Sequence, residues 1–237
     1  MVSKVVIVSC IAIVAIVAAG IGSYYYFVIN QADNVDSSSN DDGVPRIIAP
    51  NGTLTAQWWQ WAISIPIATN PAADTTGEFC DEGQSGPVWH VAGSFGGPVE
   101  RSCNIPVGKS ILVPIINGEC SEAEYPEQST EEQLRGCALA TNEGVSELMF
   151  SINGLTVEET VLRESHRIQS PLFIMTFPED NIFGLPPVTT RAVSDGYWVL
   201  VEGLTAGNYD MHFRGAIIDP SGANNFITEA TYHITVS

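Results

Sequence analysis

The chain has 237 residues, 45% of them hydrophobic and 15% charged, with 9 basic against 27 acidic side chains and a formal charge of -18. At about 100–200 residues per domain, that length is one folded domain or two small ones. So acidic a chain is repelled by phosphate, which argues against a nucleic-acid partner, and five Trp, seven Tyr and nine Phe are bulk enough for a core, which argues against wholesale disorder.

Val5 to Gly22 carries no charge and continues through Ser23, Tyr24, Tyr25 and Tyr26 to Ile29. About 20 apolar residues span the hydrocarbon core of a membrane as a helix, and tyrosine rings favour its interface. Residues 1–30 therefore read as an N-terminal transmembrane anchor that meets the membrane through residues 5–29. Lys4 is the only basic side chain before it, so the positive-inside rule sends the rest of the chain outward. The competing reading is a cleavable signal peptide using Ala18, Ala19, Gly20, Gly22 and Ser23 as its small-residue site; the length and the tyrosines favour the anchor. Either way residues 31–237 lie outside the cell membrane, on a single-pass chain or secreted. Residues 31–46 (QADNVDSSSNDDGVPR) are polar and acidic and read as a flexible linker. Residues 47–237 form the extracytoplasmic domain.

Within that domain, Asn51-Gly52-Thr53 is an N-x-[ST] sequon and makes Asn51 a candidate glycan acceptor. Leu54 to Ser64 reads as a short helix ended by Pro66, with Trp58, Trp61 and Ile65 on one face. The face is expected to pack on the core; exposed, Trp58 and Trp61, with Trp89, would form a sugar-stacking platform. Asn70 to Gly86 is rich in turn formers. Val88 to Phe95 reads as a strand, Gly96-Gly97-Pro98 as a turn, and Ser110 to Ile116 as a strand whose Pro114 implies an edge or a bulge. Glu119 to Glu132 carries six acids and no base. Such a cluster is usually solvated surface, though a hard cation such as calcium also seeks several oxygen ligands; the loop spacing of an EF-hand is absent. Ser129-x-x-Glu132 reads as the capping box of a helix reaching Thr141.

Glu147 to Ile152 alternates cleanly and is followed by Asn153-Gly154, a hairpin signal, then Leu155 to Val157. Leu172 to Phe177 and Tyr197 to Val201 read as strands, 180–187 as loop and 204–208 as a turn. Residues 209–217 and 228–236 alternate apolar and polar and suggest a hairpin around 218–227. A symmetric register there places His212 opposite His233, and two imidazoles with Asp210 nearby are candidate transition-metal ligands. A slip in register would separate them. Cys80, Cys103, Cys120 and Cys137 are an even set with no CxxC spacing, so structural disulfides are expected and a zinc or thioredoxin-like site is not. Four cysteines allow three connectivities; nearest neighbours favour Cys80–Cys103 with Cys120–Cys137. Arg163, His166 and Arg167 are the only local basic cluster and are expected to pair with acidic surface.

These elements predict an all-β fold, an immunoglobulin-like or jelly-roll-like β-sandwich with one or two short helices. Trp58, Trp61, Pro66, Asn70-Pro71, Asp74, Thr76-Gly77, Cys80, Gly83-Gln84-Ser85-Gly86-Pro87-Val88-Trp89, Gly93, Arg101, Cys103, Pro106, Gly108-Lys109 and Pro114 form a motif string, with Gly196-Tyr197-Trp198 and His212-Phe213 further on. In this string the chain resembles a group of uncharacterised exported prokaryotic proteins. The resemblance covers most of the ectodomain and implies no activity, cofactor or catalytic residue. His90 departs from the aromatic often found after the Trp in that group, which weakens any shared role for it. The sequence-level expectation is a binding or surface-structural module whose partner is a cell-surface protein or a glycan. The alternatives are a carbohydrate-binding or carbohydrate-active domain, or an exported metal-binding protein.

Overall fold

A computed structural model describes residues 44–219 and 225–237. The sandwich lies within the unit Gly43–Ser237. The expected anchor at 5–29 and nearly all of the acidic linker lie outside the described residues. Among the described residues no helix is long and apolar enough to cross a membrane.

The elements in chain order are β1 (Arg46–Ile48), α1 (Gly52–Ser64), a 3-10 turn (Ile67–Thr69), β2 (Val88–His90), β3 (Gly97–Ile105) and β4 (Ser110–Ser121), then α2 (Glu131–Thr141), β5 (Val145–Ile152), β6 (Leu155–Thr156) and α3 (Glu159–Ser165), and finally β7 (Phe173–Phe177), β8 (Val188–Glu202), β9 (Gly207–Ile217) and β10 (Phe226–Val236). They form two five-stranded sheets. The first runs β1-β8-β4-β2, with β7 also on β8, and the second runs β3-β10-β9-β5-β6. Pairings are antiparallel except β2–β4 and β3–β10.

Alternation places one set of side chains between the sheets. Ile111, Val113 and Ile115 of β4 and Tyr197, Val199 and Val201 of β8 meet Met211, Phe213, Tyr232 and Ile234 of the second sheet. The opposite face of the first sheet is covered too. Leu112, Trp198, Leu200 and Met175 pack under Trp58, Trp59, Ala62 and Ile63 of α1. The first sheet is thus the middle layer of three, and β8 is buried almost from end to end. Asn51 caps α1, its Oδ1 accepting the Leu54 N–H at 3.1 Å. At the other end Asn70 Nδ2 donates to the carbonyls of Ala62 and Ile65, at 2.7 and 2.9 Å. These bonds satisfy groups that a helix leaves unpaired at its ends.

Pro114 marks a bulge, since the β4–β8 register shifts between Pro114 and Ile116. Ile115 and Ile116 both end up in the core between the sheets. The second sheet approaches closely here: a Cβ added to Gly215 would lie 2.5 Å from the Ile116 Cβ. The disulfides are Cys80–Cys103 and Cys120–Cys137. The first ties the 70–86 loop to β3, and the second fastens α2 to β4.

Four expectations need correcting. Among the described residues three short helices are present, α3 being the one not foreseen. The capping box of α2 is Thr130 with Gln133, one residue beyond the Ser129 and Glu132 expected. Val99 to Ile105 is strand, where only a turn at 96–98 was expected. Phe95 stands 58% exposed outside the strand that begins at Val88.

Substituting Gly215→Ala forces a methyl group against Ile116. Overpacking of this kind costs about 1–3 kcal/mol, so the urea midpoint is expected to fall with an unchanged slope. An unchanged midpoint would mean that the sheets stand farther apart at this point.

Candidate functional site

A cleft of about 560 Å³ opens between α1 and the segment from Gly83 to Val88. Its walls include Gln57, Gln60, Trp61, Ser64, Ser85 and His90, and no acidic or basic side chain other than His90 lines it. Ligand sites fall in this size range and combine an apolar wall with a few polar groups. Here the wall is Trp61 and the polar groups are amides, hydroxyls and an imidazole.

The walls are built by side chains that hold the backbone. Gln84 clamps His90 by accepting its backbone N–H at 2.9 Å and donating to its carbonyl at 2.8 Å. Trp61 is locked by its indole N–H, which donates to the Glu82 carbonyl at 2.9 Å. The His90 ring lies against it, with ring centroids 5.3 Å apart. His90 Nδ1 is buried without a hydrogen-bond partner. Burial pushes the His90 imidazole down to about 4, so it is neutral at pH 7; the charge beside this wall is the Lys109 ammonium, which donates to the Gly86 carbonyl. Gln57 is exposed. Gln60 spends its amide N–H on the Ile174 carbonyl at 2.7 Å, which leaves its Oε1 for a ligand.

A second cavity, about 80 Å³, lies under the other side of α1, between Trp58, Trp59, Ile182 and the exposed rings of Phe95 and Phe226. It is small and mostly apolar. A third depression of about 220 Å³ runs beside His233 and Asp210 on the outer face of the second sheet.

The tryptophans do not form a stacking platform. None of the five is more than 7% exposed. Trp58 packs on the first sheet with its indole N–H donating to the Val91 carbonyl at 2.7 Å, and Trp89 lies in the core between the sheets. Only Trp61 reaches the large cleft, and it does so from the wall.

The two histidines do not form a pair. The β9–β10 register sets His212 against Thr231 and His233 against Asp210. Strand β10 starts at Phe226, so the hairpin is shifted by two residues from the symmetric form and the histidines are diagonal neighbours. His212 Nε2 meets Glu229 at 3.0 Å. His233 sits between two acids, with Nδ1 at 2.7 Å from Asp210 and Nε2 at 2.8 Å from Glu100. Both ring nitrogens therefore face carboxylates, which favours the imidazolium. Hydrogen bonds to Glu100 first, and then to Asp210, hold His233 above its ordinary value. Among the described residues no group of three or more His, Cys, Asp or Glu is placed to hold a metal ion.

The basic cluster is spent locally. Arg163 pairs with Glu159, and Arg167 Nε meets Asp195 at 2.8 Å. His166 is buried. Asn51 is exposed, and the atom a glycan would join, Nδ2, takes no part in the bond that caps α1. Sequence reasoning missed the large cleft, although it singled out Trp61, Ser85 and His90. Gln57 and Gln60 carry no motif, and only the closure of the 83–88 segment over α1 brings them to one wall.

The two perturbed histidines act in opposite directions on stability. The unfolded chain protonates His90 near 6.5, whereas the folded chain resists until about 4. Between those values the unfolded state binds more protons, so stability falls as the pH drops through that window. His233 is raised, so its contribution is present below about 6.5 and is lost as the pH rises through its folded value. Thermal midpoints measured against pH are expected to show less acid loss in His90→Phe, which keeps a ring against Trp61. His233→Gln is expected to flatten only the branch above about 6.5. Identical profiles in wild type and His90→Phe would contradict a buried neutral imidazole.

No family model matches the chain, and no curated protein matches it. A solved structure described as "Structure of PbICP-C in complex with falcipain-2" aligns over 64% of this chain and 100% of that one, at 12% identity and a TM-score of 0.27. A likeness that low carries no argument about fold or function.

Proposed function

We propose that the chain is a membrane-anchored, extracytoplasmic binding module, and that the cleft between α1 and the 83–88 segment takes a neutral, hydroxyl-rich ligand such as a sugar unit of a surface glycan. The observation that carries this reading is the composition of the cleft wall: Gln57, Gln60, Ser64 and Ser85 offer amides and hydroxyls beside Trp61 and a neutral His90. Amides and hydroxyls donate and accept alike, which suits hydroxyl groups, and the one ammonium beside the wall, Lys109, is bound to the Gly86 carbonyl. A chain of charge -18 also disfavours anionic ligands. The finer fold class, immunoglobulin-like or jelly-roll-like, is part of the same proposal. Two facing sheets support it, and the parallel pairings β2–β4 and β3–β10 depart from an all-antiparallel sandwich. Export rests on the apolar segment at 5–29 and agrees with the two disulfides.

The test is calorimetric titration of the protein with a panel of neutral and anionic oligosaccharides. A neutral glycan is expected to bind. Gln57→Ala is expected to weaken it about tenfold, the equivalent of one hydrogen bond of about 1.4 kcal/mol. If no neutral glycan binds, or Gln57→Ala leaves the affinity of the one that does unchanged, the cleft is not the site.

A further inference from the structure

The side of α1 that walls the cleft runs back to the only N-x-[ST] sequon in the chain, Asn51-Gly52-Thr53. Thr53, Gln57, Gln60 and Ser64 are all exposed, and at three to four residues apart they lie along one side of the helix. Gln57, Gln60 and Ser64 line the cleft, and so does Leu54, whose backbone N–H is the one that Asn51 caps, at 3.1 Å. The sequon therefore adjoins the cleft at the start of α1. At the rise of an α-helix, Gln57 stands about 9 Å and Trp61 about 15 Å along the axis from Asn51, a reach that a short oligosaccharide covers.

The cap also fixes how the Asn51 amide is turned. The Leu54 N–H bonds only to an oxygen, so Oδ1 sits on the helix end and Nδ2 stays outside the cap. N-glycosylation uses Nδ2 alone. That nitrogen forms a bond to the anomeric carbon of a sugar and gives up one proton. The bond from the same carbon to the phosphate of a lipid-linked oligosaccharide breaks, and the lipid phosphate leaves with the electron pair. The amide carbonyl is untouched, so the cap of α1 survives the modification.

We propose that Asn51 carries an N-linked glycan whose first sugars lie along α1 and occupy the cleft, so that the resident ligand of the module is its own glycan. The inference rests on the proposed reading of the cleft as a site for neutral, hydroxyl-rich units, and on export. Two independent features converge on it: a sequon whose Asn and Thr are both exposed, and a wall of amides, hydroxyls and one indole that begins one helical turn away. A tether holds its ligand at a millimolar effective concentration, so an external glycan enters the cleft only by displacing the attached one.

The experiment uses the full chain isolated from the cell that makes it. Thr53→Ala removes the sequon and keeps the Asn51 cap, whereas Thr53→Ser keeps both. Mass spectrometry of the peptide containing residue 51 is expected to find the glycan on wild type and Thr53→Ser, and bare Asn51 in Thr53→Ala. The oligosaccharide released from wild type is then titrated into each protein by calorimetry. It is expected to bind Thr53→Ala, and to bind wild type and Thr53→Ser about tenfold more weakly because the tethered copy competes. Adding Gln57→Ala to Thr53→Ala is expected to weaken binding of the released glycan. Bare Asn51 in wild type overturns the proposal and leaves the reading of the cleft standing. So does a released glycan that binds wild type and Thr53→Ala alike, or neither, while another neutral oligosaccharide binds Thr53→Ala. If no neutral oligosaccharide binds Thr53→Ala, the reading of the cleft itself fails, and the proposal with it.

Discussion

A guanidinium buried without a carboxylate holds one end of this sandwich together. Arg101 projects inward from β3 and is 1% exposed. Its Nε donates to the Asp74 carbonyl at 2.8 Å, its terminal nitrogens reach the carbonyls of Ala92 and Gly93, and one of them also meets the Tyr232 hydroxyl at 2.7 Å. The group also lies 5.4 Å from the centre of the Tyr232 ring. Tyr232 in turn accepts the Ala92 N–H at 3.0 Å and donates to the Ala92 carbonyl at 2.8 Å. A buried charge is tolerated only when its donors are satisfied. Here the acceptors are carbonyls from two segments that carry no regular structure of their own, so the cation selects the path of the 70–94 chain.

That constraint gives the motif string a structural meaning. Asn70 closes the end of α1, and Asp74 accepts the Thr76 and Phe79 N–H groups. Gly77, at φ +90, passes so close to β3 that a Cβ there would lie 2.2 Å from the Ser102 carbonyl oxygen. Cys80 is bonded to Cys103 two residues beyond Arg101, and Gln84 fixes His90. Each of these residues shapes the loop that closes over α1 and so forms the far wall of the cleft. The motif specifies the frame of the cleft, and the polar groups that line it, Gln57, Gln60, Ser64 and Ser85, are mostly outside the motif.

The parts that could be read in the sequence are those whose burial is one-sided. Strands β5, β9 and β10 alternate because one face is core and the other solvent, and both the disulfide pairing and the Pro114 bulge follow from local rules. Strand β8 was seen only from Tyr197 onward, because Ser194, Asp195 and Gly196 look like loop; they are buried by α2, Arg167 and the neighbouring β4. Strand β3 was hidden by Arg101 itself, a charged residue at a position where alternation calls for an apolar one. The His212–His233 pairing failed through a hairpin shifted by two residues, which preserves which face each side chain occupies and so leaves no trace in the pattern. The cleft joins α1 to a loop some twenty residues later, a distance over which periodicity carries no information.

The most direct test of the clamp is amide hydrogen exchange on Arg101→Met, which keeps much of the side-chain volume and removes the cation. Loss of the buried group leaves the Asp74 and Gly93 carbonyls without the Arg101 donor, at about 1–3 kcal/mol each, and leaves the Ala92 carbonyl with only the Tyr232 hydroxyl. The clamp predicts that protection falls at the amides of Ala92 and Ser102 and through the 70–94 segment, while the β4–β8 pairing keeps its protection. Unchanged exchange in 70–94 would contradict it, as would an even loss across both sheets.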